Sequence, residues 1–153
     1  MTIGRTLERE AATGWRRLSG THIAGAVHID QTIANETLQA HRPEARDVRL
    51  EFEDANTIIV RYRRLRFRAW LDEEMDLAGS PRVRVRLASM LLGWTLTRAL
   101  TLPYVRVQGR WVIVDVGALP ATDEYRAMWQ HVRSVRFTTS PGKLVVHFTV
   151  QIA

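Results

Sequence analysis

Between Thr57 and Leu87 the chain reads TIIVRYRRLRFRAWLDEEMDLAGSPRVRVRL, and for most of that length arginines alternate with apolar residues. A period of two is the signature of a β-strand with one buried and one solvated face, since successive side chains point to opposite sides. The stretch is therefore predicted to be strand, turn and return strand. The apolar set sits on even positions up to Tyr62 and on odd positions from Leu65 (Leu65, Phe67, Ala69, Leu71). A single regular strand cannot cross that switch without inverting its faces, so a β-bulge or a strand break is expected at Arg63-Arg64.

Pairing the return strand apolar to apolar sets Asp72, Glu74 and Asp76 against Arg82, Arg84 and Arg86. Such pairs contribute about 0.2–1 kcal/mol each and neutralise the ladder. Arg64, Arg66 and Arg68 are left without partners in this register. Upstream, residues 47–54 alternate in the same way, with Val48, Leu50 and Phe52 matching Ile58, Val60 and Tyr62 across a turn at Ala55-Asn56.

The remaining chain punctuates itself. Residues 6–18 carry Leu7, Ala11, Trp15 and Leu18 on one helical face, a peripheral N-terminal helix. GAVHID (25–30) reads as a short strand, followed by a helix through QTIANETLQAHR that Pro43 stops. Residues 88–101 are apolar on nearly every side, so that helix is buried, lines an apolar cavity, or meets a partner. YVRVQGRWVIVDVG is a hairpin around Gly109, and residues 122–132 read as an amphipathic helix with Tyr125, Met128, Trp129 and Val132 inward. A final hairpin turns at Pro141-Gly142, with Leu144, Val146, Phe148, Val150 and Ile152 toward the core. The expectation is a single α+β domain over 1–153: a curved, largely antiparallel sheet with three to four helices, the apolar one packed on the concave face.

Chemistry is sparse. There is no cysteine, which removes disulfides, thiolate metal sites and a cysteine nucleophile. No phosphate loop, GxGxxG, HExxH or GxSxG is present, so no catalytic residues, metal or cofactor are assigned. The histidines are read as structural or solvated. Asp115 is of interest only if the Trp111–Ile113 face is buried, because a buried carboxylate needs a donor. The acidic residues near the N-terminus do not form a signal peptide, and Leu87–Leu102 is interrupted by Arg98 and shorter than the ~20 residues that span a bilayer. The default expectation is the cytoplasm, with a secreted or periplasmic location as the alternative if a signal peptide has been removed.

Net charge is +6, and 21 of the 22 basic residues are arginine, with Lys143 the one lysine. Anion or nucleic-acid binding would use Arg64, Arg66 and Arg68. Against it, residues 46–87 hold ten basic and eight acidic residues, a net of only +2. An apolar groove fits better, lined by Leu91, Leu92, Trp94, Leu96 and Leu100, with a plain core as the alternative. A helix of that kind is equally suited to self-association into a homo-oligomer.

GAVHIDQTIANETL before long amphipathic strands resembles the opening of tubular lipid-binding (TULIP/SMP-like) domains, where a strand and a helix with an in-x-x-L pattern precede the sheet. LTLPYVRVQGRWVIVDVGAL resembles the strand pairs of small bacterial lipid-binding relatives in that group. The likeness covers residues 25–117. It implies a highly curved sheet around a helix, and a non-enzymatic protein binding an apolar ligand such as an acyl chain.

Overall fold

A computed structural model of the chain describes residues 9, 12, 19–41, 46–99, 103–118 and 127–153. The first strand, β1 (His22–Asp30), pairs with the last, β9 (Lys143–Gln151), which pairs with β8 (Val132–Ser140). This three-stranded sheet has the order β1-β9-β8. A separate six-stranded sheet has the order β2-β3-β4-β5-β7-β6. Its strands are β2 (Val48–Phe52), β3 (Thr57–Tyr62), β4 (Leu65–Leu71), β5 (Arg82–Leu87), β6 (Val105–Gln108) and β7 (Trp111–Asp115). Every strand pair is antiparallel. Two α-helices lie among the described residues, α1 (Gln31–His41) and α2 (Met90–Ala99).

The α+β content and antiparallel pairing match expectation, but one curved sheet with three to four helices does not. Among the described residues there are two sheets, and α1 and α2 are the two α-helices with a defined span. The physical reason is pairing at long range: Ile23 opposes Val150, so the chain ends build a sheet of their own. Local periodicity carries no information about which strands share a sheet. The expected helix at 6–18 falls almost wholly outside the described residues. Of the one expected at 122–132, residues 127–131 form 3-10 turns and the preceding five lie outside the described residues.

The parity switch proves to be a chain reversal. Tyr62 pairs with Leu65 across a two-residue turn, so even positions of β3 share a face with odd positions of β4. Arg63 holds the turn at φ 54°, an uncommon conformation for a residue with a β-carbon. In the return strand, Trp70 opposes Arg86 and Leu71 opposes Val85. Asp72 then meets Arg84 (3.8 Å), and Asp76 bridges Arg82 through the backbone. Glu74 departs from the expected ladder and bridges Arg136 on β8 instead.

That departure joins the two sheets. The amide of Phe137 donates to Glu73 C=O (2.7 Å) and the amide of Met75 donates to Val135 C=O (3.0 Å). On the other side, the Asn56 side chain donates to Phe137 C=O (2.9 Å) and accepts from the Thr139 amide (3.0 Å). Between these clips the apolar faces meet, with Phe52, Ile58 and Leu71 packed against Val135 and Phe137.

Helix α1 closes the β2 edge. Gln31 and Asn35 stand four residues apart on one helical face, within reach of one neighbour. Asn35 exchanges both of its amide hydrogen bonds with the Leu50 backbone (2.8 and 2.9 Å), and Gln31 Oε1 accepts from the Phe52 amide (2.9 Å). Two side chains thus occupy the backbone groups that a further strand would use.

Candidate functional site

The residues expected to line a groove are divided by α2 between core and surface. Leu96 is buried with Ala69 and Leu87, and Leu92 packs against that cluster. Leu91 and Trp94 face outward at 72% and 55% exposure, beside an exposed Met90. Leu100 lies outside the described residues. The Arg98 guanidinium covers the Trp94 ring at 4.1 Å. One side of α2 is therefore core and the other is bare surface. Its close seat on the sheet is permitted by Gly93, where a β-carbon would overlap the carbonyl oxygen of Gly109 in the β6–β7 turn.

An apolar groove does exist, on the inner face of the three-stranded sheet. It has a volume of about 300 Å³ and is walled by Val132 and Val135 of β8 and by Val146, Phe148 and Val150 of β9. Met75, Met128 and Trp129 complete the lining. Every described lining residue is apolar. The strand alternation puts these side chains inward, as read from the sequence for Val146, Phe148 and Val150. The same apolar face continues onto β1, where Ile23 and Val27 oppose Val150 and Val146 and are 45% and 50% exposed.

Two polar features accompany the groove. The indole N–H of Trp129 is buried with no acceptor, in contrast to the usual pairing of buried donors. Arg133 is the extra residue of a β-bulge between Val132 and Ser134. By parity with Val135 and Phe137 it would face the core, and the bulge leaves it exposed instead. It borders a smaller cleft that shares Met75 and Val135 with the groove. No carboxylate pairs with Arg133 among the described residues, whereas neighbouring Arg136 is held by Glu73 and Glu74.

The arginines expected to bind anions are not gathered into a pocket. Arg64 lies in the β3–β4 turn, and Arg66 follows on the exposed face of β4. Arg68 pairs with Glu53 at 3.7 Å. Asp115 is half-buried and has its donors: it accepts from the Ser80 hydroxyl and from the Ala118 amide, pinning the end of β7 to the loop before β5. Gly117 keeps that junction tight, because a β-carbon there would meet Ser80 Oγ at 2.6 Å. His22, His28 and His147 are exposed, and His147 contacts Thr138 at 3.2 Å. Among the described residues no three metal-ligating side chains come together, and no helix is long and apolar enough to cross a membrane.

No protein-family model, curated protein or solved structure matches the chain.

The residues expected to line a groove lie on α2, whereas the apolar groove of the structure is walled by β8 and β9. Met75, Met128 and Trp129 were not candidates, because they come from segments whose position depends on tertiary pairing. The signal that was available is the uninterrupted inward face of β9, read as core.

Proposed function

We propose that the chain binds a lipid-like, apolar ligand without catalysis, in the groove beneath the three-stranded sheet. The observation that carries this reading is a concave space of about 300 Å³ with an entirely apolar described lining, the low end of the size range for ligand pockets. An acyl chain or similar hydrocarbon would cover Val146, Phe148 and Val150 and extend toward Ile23 and Val27. Arg133 and the Trp129 indole N–H supply donors for a polar head. Leu91 and Trp94 play no part, since they lie on the outer side of α2.

Native mass spectrometry of freshly purified protein, followed by organic extraction, tests the reading. A co-purifying amphiphile that is lost in Val146→Asp supports it. A fluorescent fatty-acid probe should also bind wild type and fail to bind this variant. Protein that extracts clean and leaves the probe free overturns it.

A second reading rests on α2 alone. Met90, Leu91 and Trp94 form an exposed apolar patch of the kind that marks contact surfaces. It supports self-association through α2 of a second copy. Light scattering should then show a dimer that Leu91→Glu with Trp94→Glu reduces to monomer, and a monomeric wild type removes the idea.

A further inference from the structure

The outward face of the six-stranded sheet is built in rows. Trp70, Arg86 and Trp111 oppose one another across β4, β5 and β7, with Gln108 of β6 completing the row. The Arg86 guanidinium lies 5.0 Å from the Trp70 ring centre, and that of Arg84 lies 4.4 Å from the Trp111 ring centre. The next row runs through Arg84, Ile113 and Arg106, and a third pairs Arg82 with Asp115. Two adjoining clefts of about 380 and 240 Å³ open over these rows and share Arg82 and Ile113.

Charge counted by face differs from charge counted along the chain. Register places Arg49, Arg61, Arg66, Arg68, Arg82, Arg84, Arg86 and Arg106 on this surface. Glu51, Glu53, Asp72, Asp76 and Asp115 share it, the first three paired to Arg61, Arg68 and Arg84. Asp47, Glu73 and Glu74 lie elsewhere, in turns and against β8. Among the described residues Arg82, Arg86 and Arg106 have no carboxylate partner. Eight arginines thus stand against five carboxylates on this face, and these three gather on β5 and β6.

We infer that this face binds single-stranded nucleic acid, with phosphates on Arg82, Arg86 and Arg106 and bases stacked over the Trp70–Arg86–Trp111 row. The two indoles stand two strand spacings apart, about 10 Å. Both are half-buried, each with a guanidinium over its ring, and a base would stack on that guanidinium plane. An anionic bilayer calls for aromatics that protrude, and those are on α2 instead. A duplex hides its bases from a surface of this kind. This site is separate from the apolar groove and stands whether or not that groove holds a ligand.

Fluorescence anisotropy of the full chain with a labelled oligothymidylate or oligouridylate of about 16 nucleotides is the direct test. Binding should weaken steeply as salt rises from about 50 to 200 mM, with each phosphate contact adding about −0.7 to the log–log slope. Arg86→Glu with Arg106→Glu should cost tenfold or more in affinity, by about that rule, and flatten the slope. Trp111→Leu should cost about tenfold with the slope unchanged, because stacking is not an ionic contact. Lys143→Glu, a charge reversal on the other sheet, should leave affinity within about twofold. No binding at low salt overturns the inference, as does equal loss in Lys143→Glu. Polyphosphate binding as tight as the oligonucleotide, with Trp111→Leu indifferent, also overturns it. So does capture by phosphatidylserine vesicles through Arg86 and Arg106 when oligonucleotide is ignored.

Discussion

The ring of Phe148 lies across Gly25: a β-carbon built on that glycine would stand 2.8 Å from the ring's Cζ. The two residues oppose each other in the β1–β9 register, so the aromatic fills the space that a side chain on β1 would claim. Phe148 is also a wall of the apolar groove, and the glycine therefore sets the position of that wall.

Gly25→Ala should push the ring toward the groove. The expected cost is about 1–3 kcal/mol, as for other overpacked sites. Urea denaturation measures that loss, and the fluorescent fatty-acid probe should bind more weakly to the variant that remains folded. Unchanged stability and probe affinity would show that the ring moves freely.

Asn56 holds a positive φ of 57° while its side chain bridges to β8. Asn56→Ala leaves Phe137 C=O and the Thr139 N–H unpaired, at about 1–3 kcal/mol for each group that stays buried. Asn56→Asp keeps an acceptor for Thr139 and loses the donor to Phe137, so it should fall between wild type and alanine. Hydrogen exchange at the Thr139 amide should accelerate most in Asn56→Ala, which removes its acceptor.

Gly93→Ala improves helix propensity by about 1 kcal/mol and would raise stability in an exposed helix. Here it should lower stability instead, by about 1–3 kcal/mol, because its methyl group meets the Gly109 carbonyl and must push α2 off the sheet. Thermal unfolding decides the sign.

Arg63→Gly is expected to stabilise by up to about 1 kcal/mol, through relief of the left-handed backbone at φ 54°. The Arg63–Asp47 pair that it removes is 3.7 Å long and exposed on both sides, and is worth little. A rise in the urea midpoint with an unchanged slope is the expected reading.

Much of the fold was legible as local pattern. The period of two located β2 to β5, the β6–β7 hairpin and the β8–β9 hairpin, and Ala55-Asn56 is the turn it was read to be. The reversal at Arg63-Arg64 was legible only as a parity fault, because neither residue is a usual turn former. What the pattern lacks is long-range choice. Nothing local says that β1 seeks β9, that Glu74 leaves the arginine ladder for β8, or that Trp129 comes to roof β9. The apolar helix shows the same limit: composition records how apolar α2 is, while Leu91 and Leu96 differ only in what happens to lie beside them.

The amide pairs of Gln31 and Asn35 with β2 have a consequence for assembly. With β2 plugged by side chains and β8 occupied by the 73–75 segment, the described strands leave two unpaired borders, β1 and β6. They belong to different sheets. Two copies joined β1 to β1 or β6 to β6 would close on themselves, whereas β1 joined to β6 of the next copy would repeat without end. Gln31 and Asn35 thus act as stoppers on polymerisation, and removing their amides would give the six-stranded sheet a second growing end.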